Sequence, residues 1–253
     1  MPAATLARSV LLEACRGGVP WLAAGALAIG LGAAAFLSQV ALTESAALQL
    51  AVLAAVLRAC AVFLVAAQVT AGTLREIQDK GLELMLALPL SRSTHYLGRL
   101  AGFVACGTAL AAVFSAALLF WAPPLQVALW GLSLALEAAL IAAAALFFAM
   151  TLPNVVAAIA ATAGLYLLAR AMPAIQALAD TPLAAETWAG WLARGAVDAI
   201  AFVLPRVDAA TRTEWLVYDA PPLAEYSAAL AALGLYVILL TAAGLFDFQR
   251  REA

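Results

Sequence analysis

Charged residues are scarce in this sequence. Of its 253 residues only 11% are Asp, Glu, Lys or Arg, whereas 66% are apolar, and the mean hydropathy is +1.02. Soluble domains carry about 25% charged residues, which cover their water-facing surface. The net charge is only -2 and no run of Lys and Arg is present, which excludes a disordered protein and a nucleic-acid-binding protein. The sequence therefore predicts a multi-pass membrane protein embedded in a lipid bilayer.

Residues that bind metals and phosphates are equally few. Cys15, Cys60 and Cys106 are too scattered for a disulfide framework, and the single histidine, His95, has no partner at metal-ligand spacing. No G-x-x-x-x-G-K-[ST] loop is present to hold the phosphates of ATP. We therefore expect no metal, no cofactor and no enzymatic activity on this chain, so that any energy source belongs to another protein.

Long apolar runs predict the fold class, which is an all-α membrane protein. A hydrocarbon core of about 30 Å needs roughly 20 apolar residues per helix. The turns between runs are marked by Pro123-Pro124 and Pro153-Asn154, because proline cannot continue a helix. Six spans are predicted in one transmembrane domain, 1–253, at 20–41, 46–71, 96–121, 125–150, 155–172 and 223–246.

The distribution of positive charge predicts the orientation of these spans. If both termini are cytoplasmic, eight of the thirteen Lys and Arg residues lie in cytoplasmic segments. The two short outer turns carry none, and the long outer segment, 173–222, contains more acidic than basic residues. The positive-inside rule therefore places both termini in the cytoplasm.

A charged segment follows the second span. Thr73 and Glu76 have the spacing of a capping box, which predicts a new short helix there. Apolar residues then recur at helical spacing until Pro89 ends the helix, and Ser91 can cap the next one. A solvated loop with positive-inside charges is the simpler interpretation. We favour docking to a partner, because a plain tether needs no capped amphipathic helix.

This segment resembles the signature of type-2 ATP-binding-cassette (ABC) exporter permeases, in which an acidic cluster leads into Gly-Thr-Leu-Glu, a hydrophobic run, Pro-x-Ser-Arg and Gly-Lys. The matching residues are Glu76, Leu82, Glu83, Pro89, Ser91, Arg92 and Gly98. Two positions depart, since Lys80-Gly81 stands for Gly-Thr and Arg99 replaces the lysine. The start of the chain, Ala7–Arg16, is similar to the interfacial helix that precedes the first span in this family.

The resemblance implies a specific function for the segment 73–92. It would be the coupling helix, which sits in a groove of a separate ATPase subunit. The residues expected at that interface are Glu76, Asp79, Lys80, Glu83, Pro89 and Arg92. The family also implies a permease dimer, of the same or a related chain, with two ATPase subunits that bind ATP and Mg. The expected location is the bacterial inner membrane.

The outer segment between spans five and six is too long for a turn. Thr181-Pro182 predicts the start of a helix, and Arg194 with Asp198 has the spacing of an ion pair on it. Trp188 and Trp191 lie on its apolar face, as in helices at a membrane interface. The segment is either an outer gate or platform for a periplasmic partner, or a helix resting on lipid headgroups.

Arg58 and Glu137 are predicted to lie deep within spans two and four. Both are twelve residues from the outer start of their spans, a depth of about 18 Å. A charge there costs about 2.5–3.5 kcal/mol unless it is paired or hydrated. Either the two residues neutralise each other and determine packing, or they line the substrate path or the dimer seam.

The expected function is a permease subunit of an ATP-driven exporter of unspecified substrate. An alternative is a permease-like subunit that transmits force to a periplasmic partner without moving a solute, and haem export or copper-site maturation is a related option. An intramembrane enzyme is disfavoured because Ser115 and Ser133 have no evident base nearby in the sequence.

Overall fold

The computed structural model describes residues 2–40, 45–78, 91–180 and 188–250. Every regular element in these ranges is an α-helix, which confirms the all-helical fold class. The helices of the described ranges are α1 (Pro2–Arg16), α2 (Val19–Val40), α3 (Ser45–Gln78), α4 (Arg92–Leu118), α5 (Pro124–Thr151), α6 (Val155–Ala179), α7 (Trp188–Val203), α8 (Val207–Ala210), α9 (Glu214–Val217) and α10 (Leu223–Arg250).

Six of the helices are long and apolar enough to cross a membrane. They are α2, α3, α4, α5, α6 and α10, and each overlaps one of the six predicted spans. Large apolar side chains on their outer surfaces, such as Trp21, Phe36 and Ile238, are exposed, as expected for contact with lipid. The protein is therefore a multi-pass membrane protein. The side on which its termini lie stays a prediction.

Two of the predicted spans end too early. Helix α3 continues without a break through Thr73 to Gln78, so the predicted restart at Thr73 does not occur. Helix α6 continues beyond Met172 and through Pro173 to Ala179. Proline removes a single backbone donor, and neighbouring helices in a membrane bundle tolerate that loss. The predicted cap of α4 is confirmed, since Ser91 Oγ accepts a hydrogen bond of 3.2 Å from the Thr94 amide.

Helix α5 lies at the centre of the bundle. It packs against α3, α4, α6 and α10, and its residues from Ala138 to Leu146 are almost completely buried. Small side chains permit the close packing of α4 on α5, because a Cβ atom added at Gly107 would lie 2.9 Å from Ala138 Cβ. Glu137, directly before this buried stretch of α5, is therefore surrounded by protein on all sides.

The N-terminal helix α1 packs on α4. At Gly102 an added Cβ atom would lie 2.7 Å from Val10 Cβ and 2.9 Å from the carbonyl oxygen of Ala7. Only glycine permits this approach. Gly102 therefore brings α4 into close contact with α1. Gly17 and Gly18 form the turn, here called the elbow, that joins α1 to α2.

Consecutive spanning helices alternate in direction, so that their ends collect at two opposite faces. The motif end, as we name it, is the face where α3 stops at Gln78, α4 starts at Arg92 and α10 stops at Arg250. The opposite face holds the start of α3, the start of α5 and the short helix α9. The helix ends that flank the charged segment, at Gln78 and Arg92, and the short helix α9 of the outer segment therefore lie at different faces of the bundle.

Candidate functional site: a buried charge cluster and the motif end

A cluster of charged and polar side chains lies inside the bundle. Glu137 on α5 is completely buried, and its Oε2 atom accepts a hydrogen bond from Thr211 Oγ1. Arg170 on α6 approaches from another side, with Nη1 3.9 Å from Glu137 Oε1. Arg58 on α3 and Tyr166 on α6 also interact with Glu137. Three spanning helices and the outer segment therefore meet at one carboxylate.

Both arginines bind the backbone of Thr211. Arg58 Nη1 donates to the Thr211 carbonyl oxygen over 2.9 Å, and Arg170 Nη2 donates to the same oxygen over 3.1 Å. Thr211 follows the short helix α8, whose last carbonyl groups have no partner within the helix. Irregular backbone at membrane depth is tolerated only when its polar groups are satisfied. The two arginines satisfy the Thr211 carbonyl oxygen, and Arg170 Nη1 also donates to the Val207 carbonyl oxygen over 3.5 Å.

These bonds show that residues 204–218, here called the inserted segment, enter the bundle. At one end of it the Tyr218 carbonyl accepts a bond of 3.2 Å from Gln126, near the start of α5. Thr211 instead bonds Glu137, which lies about 16 Å farther along the same helix at 1.5 Å per residue. Leu204, Val207 and Leu216 are buried accordingly.

The sequence placed Arg58 and Glu137 at equal depth, and the structure brings both to Thr211. Arg58 and Glu137 lie in one cluster because both form hydrogen bonds with Thr211. The arginine within 4 Å of the Glu137 carboxylate is Arg170. Arg170 was missed because span five was predicted to end at Met172, which put the arginine at a rim. Thr211 gave no signal, because a threonine in a loop is unremarkable in sequence.

The motif end holds a second buried ion pair. Arg99 on α4 is 5% exposed and pairs with Glu76 on α3. The Arg99 guanidinium also lies 5.5 Å from the centroid of the Phe103 ring. The pair joins the helix that leads into the charged segment to the helix that leaves it.

The C-terminal end of α10 packs against the start of α4. The Phe248 ring lies 6.2 Å from His95 and 6.1 Å from Tyr96, measured between ring centroids. Arg92 Nη1 donates to the Gln249 carbonyl oxygen over 3.5 Å. Of the residues expected at the ATPase interface, Glu76 contacts α4 and Arg92 contacts α10, and their role at such an interface stays a prediction. Asp79, Lys80, Glu83 and Pro89 lie outside the described residues.

Comparison with known protein families finds no family model that matches this chain, and comparison with curated proteins finds no significant match. The resemblance of residues 75–99 to the permease signature therefore stays a prediction from the residues.

Helix α7 exposes both tryptophans that the sequence places on its apolar face, and its position at a membrane interface stays a prediction. Trp188 and Trp191 are 79% and 74% exposed, as expected for side chains that face a membrane interface. The predicted ion pair of Arg194 with Asp198 is absent, because Arg194 Nε lies 3.0 Å from Asp180 Oδ1 at the end of α6. The predicted cap at Thr181-Pro182 lies outside the described residues. The Asp180 pair joins α7 to α6.

The cluster and the motif end are suited to holding helices together. Within the described ranges no group of three His, Cys, Asp or Glu side chains is arranged to bind a metal. Ser115 and Ser133 donate to carbonyl oxygens of their own helices, at Ala111 and Leu129. The charges link α3, α5, α6 and the inserted segment.

Proposed function

We propose that the chain is a permease subunit of an ATP-driven exporter that works with separate ATPase subunits. The observation that carries the proposal is the signature at residues 75–99, which lies between two spanning helices. The Glu76–Arg99 pair supports it, because the pair ties both ends of the segment to the bundle. Force applied to that segment by a partner would act directly on α3 and α4.

The remainder of the bundle provides a route for that force. Helix α3 carries Glu76 near one end and Arg58 in its interior, and Arg58 bonds the inserted segment. A shift of α3 along its axis would therefore pull on Thr211 and on Glu137. In an exporter this coupling would open the outer side when the partner ATPases close. The complete assembly would contain two permease chains and two ATPases in the bacterial inner membrane.

A second candidate function uses the same linkage. The outer helix α7 exposes Trp188 and Trp191 and is joined to α6 by the pair of Arg194 with Asp180. Such a surface would suit a subunit that transmits motion to a periplasmic partner without moving a solute. Vesicles that hydrolyse ATP and accumulate no candidate solute, yet require α7, would favour this candidate.

The proposal is tested by isolating the tagged chain from its own membranes in mild detergent. We expect an ATPase to copurify, with ATP hydrolysis that depends on Mg. The variant Glu83→Lys should lose at least tenfold of the bound ATPase, since it reverses a charge in the proposed coupling helix. The matched control is Glu214→Lys, which reverses an exposed charge at the opposite face.

Two results would overturn the proposal. One is the absence of any ATPase from the isolated wild-type complex. The other is a Glu83→Lys variant that keeps both ATPase binding and the wild-type rate of hydrolysis. Loss of the ATPase from both variants would show that charge reversal acts through general damage, and would also count against the coupling assignment.

A further inference from the structure

The buried cluster contains more positive than negative charge. Arg58 and Arg170 donate to the same carbonyl oxygen, that of Thr211, so the two guanidinium groups lie side by side. Among the described residues, Glu137 forms an ion pair with Arg170, and no acid forms one with Arg58. One carboxyl group therefore faces two guanidinium groups. The cluster has a net positive charge whether Glu137 is ionised or protonated.

This excess charge lies deep among the spanning helices. Arg58 is about 20 Å from the start of α3, and Arg170 is about 14 Å from the end of α6, at 1.5 Å per residue. A charge at such a depth is unfavourable unless it is paired or in contact with water. Lipid headgroups lie outside the hydrocarbon core, so a lipid in its normal position does not bring a phosphate to these arginines.

The two arginines are not enclosed by the chain. The Arg170 side chain is 24% exposed and Arg58 is half-buried, whereas Glu137 is completely buried. Tyr166, which forms a side-chain hydrogen bond with Arg58, is half-buried beside them. Charged side chains in spanning helices face a bundle interior or a water-filled space and avoid acyl chains. The exposed edge of the arginine pair therefore faces a polar space beside α3 and α6.

The hydrogen-bond donors of the arginine pair are only partly used. Each guanidinium carries five N–H groups in a planar fork. Arg58 donates to Thr211 and Tyr166. Arg170 donates to Thr211 from both terminal nitrogen atoms, and its Nε atom has no acceptor in the described part of the chain. N–H groups thus remain on both residues, and adjacent guanidinium groups suit an oxyanion that presents one oxygen to each.

We propose that Arg58 and Arg170 bind an anionic group of the exported solute, which is an oxyanion with one negative charge such as a carboxylate or a phosphodiester. Its two oxygens contact the two guanidinium groups and compensate the charge that Glu137 leaves unpaired. A cationic solute is repelled by the same pair. The identification of this anion as cargo rests on the proposed function, whereas the binding of the anion does not.

The test uses the purified full chain in an uncharged detergent, without any ATPase. Four probes with the same alkyl chain are added separately, namely octanoate, methyl octyl phosphate, octylammonium and octanol. Binding in excess of partition into empty micelles is measured by equilibrium dialysis, and Tm is measured in parallel. We expect both anions to bind at least about tenfold more tightly than octylammonium and octanol, and to give the largest rise in Tm.

Three variants and a control examine the charge of the pair. Arg58→Gln and Arg170→Gln each leave one arginine on the Thr211 carbonyl, so both should fold, and each should weaken binding of both anions at least about tenfold. Glu137→Gln keeps an oxygen for the Thr211 hydroxyl and increases the positive charge, so it should bind both anions more tightly than the wild type. The control Arg206→Gln, at an exposed position of the inserted segment, should bind like the wild type.

Three outcomes would overturn the proposal. Absence of binding, or equal binding of the four probes, would mean that the pair does not select an anion. Unchanged anion binding in both arginine variants would place the bound anion elsewhere on the chain. A loss of oligomeric mass in these variants, measured by light scattering while the wild type binds no anion, would assign the arginines to an acid of a second copy.

The result is separable from the test of the proposed function, because no ATPase takes part in it. Selective anion binding by a chain that copurifies with no ATPase would retain the binding site and overturn its assignment to cargo. Failure of both anions to bind a chain that does copurify with an ATPase would overturn the inferred substrate class and leave the proposed function standing.

Discussion

The buried cluster permits a comparison of two charge pairs that share Glu137. In one double-mutant cycle Glu137→Leu is combined with Arg170→Leu, and in the other it is combined with Arg58→Leu. Each double variant removes one positive and one negative charge and leaves a single arginine bound to the Thr211 carbonyl. The two cycles therefore have the same net charge, and their difference reports the geometry of the cluster.

The magnitudes follow from the contacts. At 3.9 Å the attraction between Arg170 and Glu137 is about 4 kcal/mol at an effective dielectric constant of about 20. Removal of one partner of a buried pair costs about 3–5 kcal/mol, because the other charge is left uncompensated. We expect a coupling energy of about 2–3 kcal/mol for Arg170 with Glu137. For Arg58, which reaches the carboxylate through Thr211, we expect about 1 kcal/mol or less.

The assay is reversible unfolding of the purified chain in mixed micelles, followed by circular dichroism at fixed lipid and salt concentration. The single variant Glu137→Leu should be the least stable, since it leaves two arginines side by side. Partial recovery in the double variant with Arg170→Leu supports the ion pair. A coupling energy that is larger in the Arg58 cycle, or strict additivity in both cycles, would refute the geometry described here.

Two further predictions concern single substitutions with matched controls. Gly102→Ala should destabilise the protein by about 1–3 kcal/mol, because the added Cβ atom would collide with Val10 and with the backbone of α1. The control Gly164→Ala has open space around the added Cβ atom and should be neutral or stabilising. Thermal unfolding of both variants measures the difference, and equal effects would contradict the prediction. Thr211→Val should lower the free energy of unfolding by about 1.5–3 kcal/mol, because it removes a hydrogen bond to the Glu137 carboxylate. The control Thr162→Val loses only a hydrogen bond to the Ala158 carbonyl in its own helix, so in the same assay its stability should change by less than about 1 kcal/mol. A larger loss in Thr162→Val than in Thr211→Val would show that the cluster does not hold the inserted segment.

Residues close together in the chain were sufficient to predict the spans. Each spanning helix forms its backbone hydrogen bonds within itself, so it needs only a run of apolar residues. Such a run can be recognised from the sequence. The same local logic found the Ser91 cap. It failed at Thr73 and at Pro173, where a local signal for a helix end was overridden by packing against neighbouring helices.

The candidate site was only partly predictable, for a related reason. Arg58 and Glu137 were identifiable because a charge within an apolar run is costly wherever its partner lies. The identity of that partner depends on which helices become neighbours, and sequence spacing carries no information about this. Arg99 illustrates the point at the motif end: it was recognised as a departure from a signature, while its pairing with Glu76 required α3 and α4 to be side by side.

The sequence by itself determined that the chain is an all-helical membrane protein with six spans, because bilayer thickness and hydropathy act on each segment independently. Only the tertiary structure decided that residues 204–218 enter the bundle and that Arg170 and Thr211 complete the cluster around Glu137. The physical reason is that a polar backbone segment can lie at membrane depth only where side chains from several helices satisfy its hydrogen bonds. That condition joins residues as far apart in the chain as Arg58 and Thr211.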